Sequence, residues 1–286
     1  MSRLRKILGY EIIATLGYGA RSTIFAVRDK DHSVYALKRV VLESEKDQRY
    51  LDQACHEHEV ASAVRHANLR RSYKLIRQRR LLKTTEIYVL MEMVDGHTLE
   101  HYQTATYLDF CLVCQQVASG LGAMHQAGYI HADIKPTNIL ITGEHLVKII
   151  DFGQSCRTGT IKERIQGTPD YIAPEQVKRR EITSSTDVFN LGATMYFVLT
   201  GQHVPTMIPK KNGHRADPGD CAAPHDLNPA VPPALSALAM DCIRTNPKSR
   251  PESMTAVGDR LNLAIGQLNG RRRRPIRERA VRHPTA

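Results

Sequence analysis

The chain has 286 residues, of which 42% are hydrophobic, and a formal net charge of +11. It has no apolar run long enough to span a membrane, no apolar core after its basic first residues, and six cysteines without the spacing of a disulfide framework. These features argue against a membrane-spanning, exported or disulfide-stabilised protein, and we expect a cytoplasmic chain without a transmembrane segment. Its length suits one large domain or two lobes that share a cleft.

The first third of the chain has the pattern of a small β-rich lobe. Short segments rich in β-branched and aromatic residues alternate with Gly and Asp turns, and one helical pattern interrupts them. We predict five antiparallel strands near residues 11–16, 23–28, 34–40, 73–76 and 87–93, and a helix over 46–64. The basic run 65–83, which includes Arg70, alternates with apolar residues and is interpreted as a solvated strand and loop surface.

Beyond Gly96 the pattern becomes mainly helical. Amphipathic stretches cover residues 108–124, 185–199 and 233–244, and a short helix is predicted to end near residue 268. The Pro- and Gly-rich segment 201–233 predicts a long loop. Cys111 and Cys114 lie on one face of the first of these helices, and we assign them to core packing rather than to a metal or redox site.

The last residues are strongly basic. Residues 271–286 contain seven arginines and one glutamate, a net charge of +6. This composition predicts a disordered tail over residues 269–286. A solvated end and a segment that binds nucleic acid or an anionic membrane surface both remain open, and the lack of aromatic residues argues against stacking on bases.

The most informative segment is 131–138 (HADIKPTN), followed thirteen residues after Asn138 by the tripeptide DFG that begins at Asp151. Asp133 could accept a proton from an attacking hydroxyl, and Lys135 could neutralise a transferring phosphoryl group. Asn138 and Asp151 could supply oxygen ligands to Mg²⁺. Phosphoryl transfer depends mostly on positioning and charge, so this arrangement predicts that chemistry.

Two further elements fit the same chemistry. Residues 16–24 (LGYGARSTI) lie between two predicted strands, where a backbone with little side-chain bulk can close over phosphates. Lys38 follows on the next strand, and Glu57 on the predicted helix would provide the counter-charge that a buried lysine requires. The sequence HEHE at 56–59 is rejected as a metal site because it lacks the HExxH spacing.

Together these motifs resemble the serine/threonine protein kinases, close to the eukaryotic-like kinases of bacteria. The resemblance covers residues 10–268, with seven landmarks in the family's order: the glycine loop, Lys38, Glu57, the segment 131–138, DFG at 151–153, Ala173-Pro174-Glu175 and Asp187. It implies an α+β, two-lobed kinase fold. The N-lobe (10–94) would hold a five-stranded antiparallel sheet and one helix, the C-lobe (95–268) would be mainly helical, and residues 1–9 would form an extension.

The resemblance also implies the site residues. The catalytic set would be Asp133 as the base, Lys135, Lys38 and Glu57, and Mg²⁺ would bind Asn138 and Asp151. ATP would contact the glycine loop, an apolar adenine pocket, the gatekeeper Met91 and the hinge at 92–94. The expected ATP contacts are Leu16, Gly17, Gly19, Ser22, Ile24, Ala36, Lys38, Met91, Glu92, Val94 and Leu140, with Ile150 as a further wall. Core packing remains the alternative for the apolar members.

Two structural roles and a substrate class follow from the same resemblance. Glu175 should form a buried ion pair with Arg250, and Asp187 should anchor the catalytic loop. Lys135 with Thr168 behind it is typical of serine/threonine kinases rather than tyrosine kinases. Small-molecule kinases share the HxDxxxxN core but lack a segment like 167–175, so a protein substrate with a Ser or Thr acceptor is expected.

Three positions depart from the family pattern. Ala132 stands where many kinases carry the arginine that clamps a phosphate on the activation loop, so activity should not require phosphorylation of that loop. Ser22 replaces the third loop glycine. Ala61 and Ser72 stand where larger apolar side chains usually support the Glu57 helix, which predicts a loosely supported helix unless a partner compensates or the register near residue 73 differs.

The main rival to an active enzyme is a pseudokinase or scaffold that binds ATP or partners without catalysis. Such proteins usually lack at least one key residue. Lys38, Asp133, Asn138 and Asp151 are all present, which favours catalysis.

Overall fold

The computed structural model describes residues 6–81, 83–101, 106–208 and 218–269. Over these ranges the chain forms a β-rich N-lobe and a mainly helical C-lobe, as predicted. The basic segment 270–286 lies outside the described residues. Asn269, assigned to the tail from sequence, is the last residue of the final helix.

The N-lobe is an antiparallel sheet with one helix. Its strands are β1 (Lys6–Ile7), β2 (Tyr10–Gly19), β3 (Ser22–Arg28), β4 (Val34–Val41), β5 (Ser72–Arg80) and β6 (Lys83–Glu92), and helix α1 (Gln48–Ala63) separates β4 from β5. The strand order is β1-β2-β3-β4-β6-β5. The five predicted strands are confirmed, but the count is corrected to six. The additional β1 lies in the predicted extension and is too short to produce an alternating pattern.

The two faces of the sheet follow the two-residue period of its strands. On β4, Ala36 and Val40 pack toward α1 in a cluster with Leu51 and Ala54. Leu37, between them, faces the opposite side in a second cluster. Lys38 lies two residues from both Ala36 and Val40, so its side chain is on the same face of the sheet and its ammonium faces α1.

The C-lobe contains short strands between its helices. Its elements are β7 (Gly96–Thr98), α2 (Tyr107–Gln126), β8 (Tyr129–Ile130), β9 (Ile139–Thr142), β10 (Val147–Ile149), β11 (Cys156–Arg157), α3 (Pro174–Val177), α4 (Ser184–Thr200), α5 (Pro224–Leu227), α6 (Pro233–Cys242) and α7 (Met254–Asn269). The predicted long helices are confirmed. The segment 201–233 is not entirely a loop: α5 forms within it, begun by a proline at its first turn.

The C-lobe core is one large apolar cluster supplied mainly by α2, α4, α6 and α7. Cys111 and Cys114 lie inside it and are 0% and 1% exposed, so their assignment to the core is confirmed. Burial raises the pKa of the Cys111 thiol to about 12, which keeps it protonated and unreactive near neutral pH. Within the described ranges, every helix is too short or too polar to cross a bilayer.

Local signals fix the ends of the helices that carry the site. Thr106 accepts a hydrogen bond from the backbone N–H of Asp109 at 3.1 Å and so caps the start of α2. At the end of α4, Gly201 adopts a left-handed conformation with φ of 74°, which closes the last turn without a Cβ clash. Asp187 lies in the first turn of α4, where its carboxylate contacts the backbone of His131 and Ala132.

Candidate active site

The glycine loop is the tip of the β2–β3 hairpin. Gly17 pairs with Ile24 and Gly19 with Ser22, and Arg21 makes the turn with φ of 60°. A Cβ on Gly19 would lie 2.7 Å from Ser22 Oγ, so a side chain at Gly19 would force the Ser22 hydroxyl to move. Arg21 makes an ion pair that the sequence did not reveal. Its guanidinium Nε lies 3.1 Å from Asp47 Oδ1, and this contact connects the loop tip to the start of α1.

The predicted ion pair between Lys38 and Glu57 is present. Lys38 lies on β4 opposite Ile24 and Val89, and its Nζ is 2.5 Å from Glu57 Oε2. The side chain of Glu57 is 3% exposed and that of Lys38 is 18% exposed. A carboxylate this deeply buried requires compensation by cations and hydrogen bonds, and α1 brings it to Lys38.

Arg70 provides a second cation for the same carboxylate. Its Nη2 lies 3.0 Å from Glu57 Oε1, and its side chain is only 11% exposed. The interpretation of Arg70 as part of a solvated surface is therefore wrong, although neighbours such as Arg79 and Arg80 are exposed. The alternation of basic and apolar residues in the sequence could not distinguish the buried Arg70 from the exposed arginines, because the partner of Arg70, Glu57, lies on a different element, α1.

The catalytic loop is fixed from below by Asp187, as predicted. Its carboxylate accepts the backbone N–H of His131 at 2.9 Å and of Ala132 at 2.8 Å, and it contacts His125 Nε2 at 2.8 Å. Burial alone would raise the pKa of Asp187. The hydrogen bond and charge of His125, the charge of His131 and the Ala132 N–H outweigh burial and lower that pKa below its ordinary value.

Asp133 is the centre of a compact polar cluster. Lys135 Nζ lies 2.9 Å from Asp133 Oδ2 and donates to Thr168 Oγ1 at 2.7 Å. Thr168 donates to Asp133 Oδ1 from its backbone N–H at 3.0 Å and from its hydroxyl at 2.9 Å. The fold thus joins an acid, a cation and a hydroxyl from two separate segments, as the sequence predicted for Lys135 and Thr168.

Asn138 and Asp151 lie beside this cluster with oxygen atoms that suit a metal ion. Asn138 Nδ2 donates to Asp133 O at 2.9 Å, which orients the amide, and the backbone N–H of Ile150 donates to Asn138 O at 2.9 Å, which brings the two segments together. Among the described residues, no basic side chain forms an ion pair with Asp151. Asp151 Oδ1 accepts the backbone N–H of Gly153 at 3.3 Å, and a carboxylate and an amide oxygen on two adjoining segments suit a hard divalent cation such as Mg²⁺.

The expected adenine walls divide into two groups. Ala36 and Met91 are 5% and 1% exposed and, with the half-buried Ile24, pack in the N-lobe cluster that includes α1. Leu140 and Ile150 are half-buried, whereas their neighbours Ile139, Ile141 and Ile149 are fully buried in the C-lobe core. This alternation turns Leu140 and Ile150 away from that core, so core packing explains them less well than it explains Met91.

The remaining expected contacts lie on exposed or half-buried backbone. Leu16 is 48% exposed on β2, and Val94 is half-buried two residues after the end of β6. The side chain of Glu92 forms an ion pair with Lys148 at 2.7 Å and accepts the Arg71 N–H at 3.0 Å. The backbone N–H of Glu92 donates to Arg71 O at 3.0 Å, so the hinge is anchored to both lobes before any ligand contacts it.

The activation segment, which runs from DFG at 151–153 to Glu175, is also held at its far end. Arg250 makes the predicted buried ion pair with Glu175, with N–O distances of 2.8 and 2.9 Å. Gln176, which was not predicted, donates its amide to Ala132 O at 2.9 Å and so connects this end of the segment to the catalytic loop. No short motif marks Gln176, because its role depends on a contact 44 residues away.

This combination of fold and site defines a protein kinase domain, and comparison with known proteins agrees. Residues 10–261 match the family described as the protein kinase domain. Because the match covers most of the chain, the chain belongs to this family. The predicted resemblance to bacterial serine/threonine kinases is confirmed.

Individual relatives are named as kinases. The chain is 26% identical to a probable serine/threonine-protein kinase of Clostridium acetobutylicum, over 88% of this chain and 39% of the relative. It is 27% identical to the serine/threonine-protein kinase PknA of Corynebacterium glutamicum, over 96% and 59%, and 31% identical to an Aurora kinase of Eremothecium gossypii, over 68% and 54%. The chain therefore spans between about two fifths and three fifths of these relatives' lengths.

Proposed function

We propose that this chain is an ATP-dependent serine/threonine protein kinase that transfers the γ-phosphoryl group of ATP to Ser or Thr hydroxyls of proteins. The cluster of Asp133, Lys135 and Thr168 carries the proposal. Its carboxylate, ammonium and hydroxyl lie within hydrogen-bonding distance of one another. The kinase names of the relatives support the same activity.

The reaction assigns a role to each side chain. Asp133 accepts the proton of the substrate hydroxyl as its oxygen forms a bond to the γ-phosphorus, and the bond from that phosphorus to the β-phosphate oxygen breaks to release ADP. Lys135 offsets the charge on the transferred group, while Lys38, oriented by Glu57, holds the α- and β-phosphates. Asn138 and Asp151 would hold Mg²⁺, which would supply positive charge to offset that of the phosphates.

We also propose that activity does not require phosphorylation of the activation segment. Ala132 is 1% exposed and packs with Ile130, Cys156 and Ile182, so an apolar cluster occupies the position of a charged clamp. Contacts that need no phosphate hold the segment instead: those of Thr168 with Asp133 and of Gln176 with Ala132.

The proposal is tested by incubating the chain with radiolabelled ATP, Mg²⁺ and a general protein acceptor, followed by phosphoamino-acid analysis. We expect label on Ser and Thr. Label confined to Tyr would contradict the substrate class, and ATP binding without any transfer would identify a pseudokinase.

Cytoplasmic location and binding of the segment 271–286 to an anionic partner stay predictions from sequence alone. Binding to the anionic partner that vanishes on deletion of 271–286 and weakens with salt would support the second of these predictions.

A further inference from the structure

We propose that Arg70 is a positioning residue that holds Glu57, and with it helix α1, in place for catalysis independently of Lys38. The effect on activity rests on the kinase function proposed above. The effect on α1 itself does not, so the two can be tested separately.

The two cations divide the Glu57 carboxylate between them. Lys38 uses Oε2 at 2.5 Å and Arg70 uses Oε1 at 3.0 Å. All three side chains are at least four-fifths shielded from solvent. Charge-assisted hydrogen bonds of this kind, in a water-poor site, are among the stronger polar contacts in proteins.

The backbone of Arg70 is itself anchored to the metal-binding segment. Its N–H donates to Ile149 O at 3.0 Å, and Leu69 forms a parallel bridge with Ile149 on β10. Asp151 follows two residues later. Arg70 therefore connects α1 to the strand that leads to Asp151, whereas Lys38 connects α1 to the N-lobe sheet.

Charge balance explains why a second cation is useful. When ATP is bound, Lys38 must share its charge with phosphate oxygens. If Lys38 were the sole cation near Glu57, burial of the Glu57 carboxylate would then become unfavourable. Arg70 does not lie on the β4 strand that faces the phosphates, so it continues to compensate Glu57. The orientation of α1 then need not change between the free and nucleotide-bound states.

The neighbouring contacts of α1 are also polar. His58 Nδ1 lies 2.7 Å from Ser72 Oγ on β5, and the Ser62 hydroxyl donates to Ser72 O at 3.4 Å. Ser72 is one of the two positions where a large apolar side chain was expected, and Ala61, the other, is small and buried. The sequence predicts that α1 is loosely supported. In the structure, polar contacts with Ser72 support the helix in addition to the charged contacts of Arg70 and Lys38 with Glu57.

The first test measures hydrogen exchange of α1 in the nucleotide-free protein. We expect Arg70→Met to speed exchange of the α1 amides by about tenfold or more while exchange in α2 stays unchanged. Lys38→Met should have a clearly smaller effect on α1, because Leu51 and Ala54 still pack the helix against β4, the strand that carries Lys38, whereas Arg70 supplies a charged contact toward β10. Equal effects of the two variants, or no effect of Arg70→Met, would overturn the proposal whatever the enzymatic activity.

The second test measures kcat/KM for the protein acceptor. Arg70→Met should lower it by about tenfold to a hundredfold, and Arg70→Lys should restore part of the loss. In a Glu57→Gln background, Arg70→Met should have little further effect, because residues that act through one contact are not additive. Arg79→Met, a change of an exposed arginine on the following strand β5, is the matched control. Full additivity with Glu57→Gln, at unchanged thermal stability, would contradict a role through Glu57.

Discussion

Thr168 donates two hydrogen bonds to one oxygen of Asp133, from its backbone N–H at 3.0 Å and from its hydroxyl at 2.9 Å. The two residues lie 35 positions apart, one in the activation segment and one in the catalytic loop. Lys135 completes the cluster by contacting both. The orientation of the proposed base, Asp133, therefore depends on the position of the activation segment.

Replacing Thr168 should uncouple them. In Thr168→Ala the hydroxyl contacts to Asp133 and Lys135 are lost but the backbone contact remains, so we expect kcat to fall by about tenfold to a hundredfold. Thr168→Ser keeps the hydroxyl and should retain most of the activity. Steady-state kinetics of both variants provide the measurement, and equal rates for Ala and Ser would show that the hydroxyl has no role.

Treatment with phosphatase should leave the rate unchanged. Ala132 provides no cation to bind a phosphate on the activation segment, so removing phosphate from Ser155, Thr158, Thr160 or Thr168 should not dismantle the site. The rate of substrate phosphorylation is compared before and after treatment, with complete removal verified by mass spectrometry. A large loss of rate would mean that another basic group acts as the clamp.

Arg250→Met should strongly destabilise the C-lobe. The Arg250 side chain is 0% exposed and that of Glu175 is 6% exposed, so the change leaves a buried carboxylate without its counter-charge. Removing one partner of such a pair typically lowers the free energy of unfolding by about 3–5 kcal/mol. Urea unfolding at neutral pH measures the change. Arg244→Met, at an exposed arginine six residues earlier in the chain, serves as the control and should have little effect.

Asp187→Asn should reveal a stability term that depends on pH. The pKa of Asp187 in the folded chain lies below its ordinary value of 3.8, so its ionised form stabilises the fold at pH values above 3.8. This contribution is lost as the pH falls through the lowered pKa. At pH 7 the variant should be less stable by about 2–3 kcal/mol, and the difference should shrink as the pH drops toward and below 3.8. A difference that grows on acidification would contradict the assignment.

The sequence alone predicted those parts of the site that depend on spacing within a motif. Asp133, Lys135 and Asn138 lie on one short segment, and Lys38 and Glu57 occupy a strand and a helix whose patterns are clear. Arg70 could not be identified in this way. Its role depends on Glu57, 13 residues away on another element, and its place in the alternating basic run resembles that of exposed arginines.

Short elements were harder to predict for a different reason. Strand β1 has two residues and α5 has four, too few for the alternating or helical pattern to recur along the sequence. Their formation depends on backbone partners: β1 pairs with β2, and Pro224 begins α5 after an extended residue. The contact between Arg21 and Asp47 likewise appears only when the hairpin folds over the start of α1.

The central claim is that Asp133 accepts the substrate proton during phosphoryl transfer. The most direct test compares the rate of phosphoryl transfer from labelled ATP to a protein acceptor for the natural chain and for Asp133→Asn, with nucleotide affinity measured for both. We expect similar affinity and a rate lower by about a hundredfold to ten-thousandfold in the variant. Equal rates for the two proteins would contradict it.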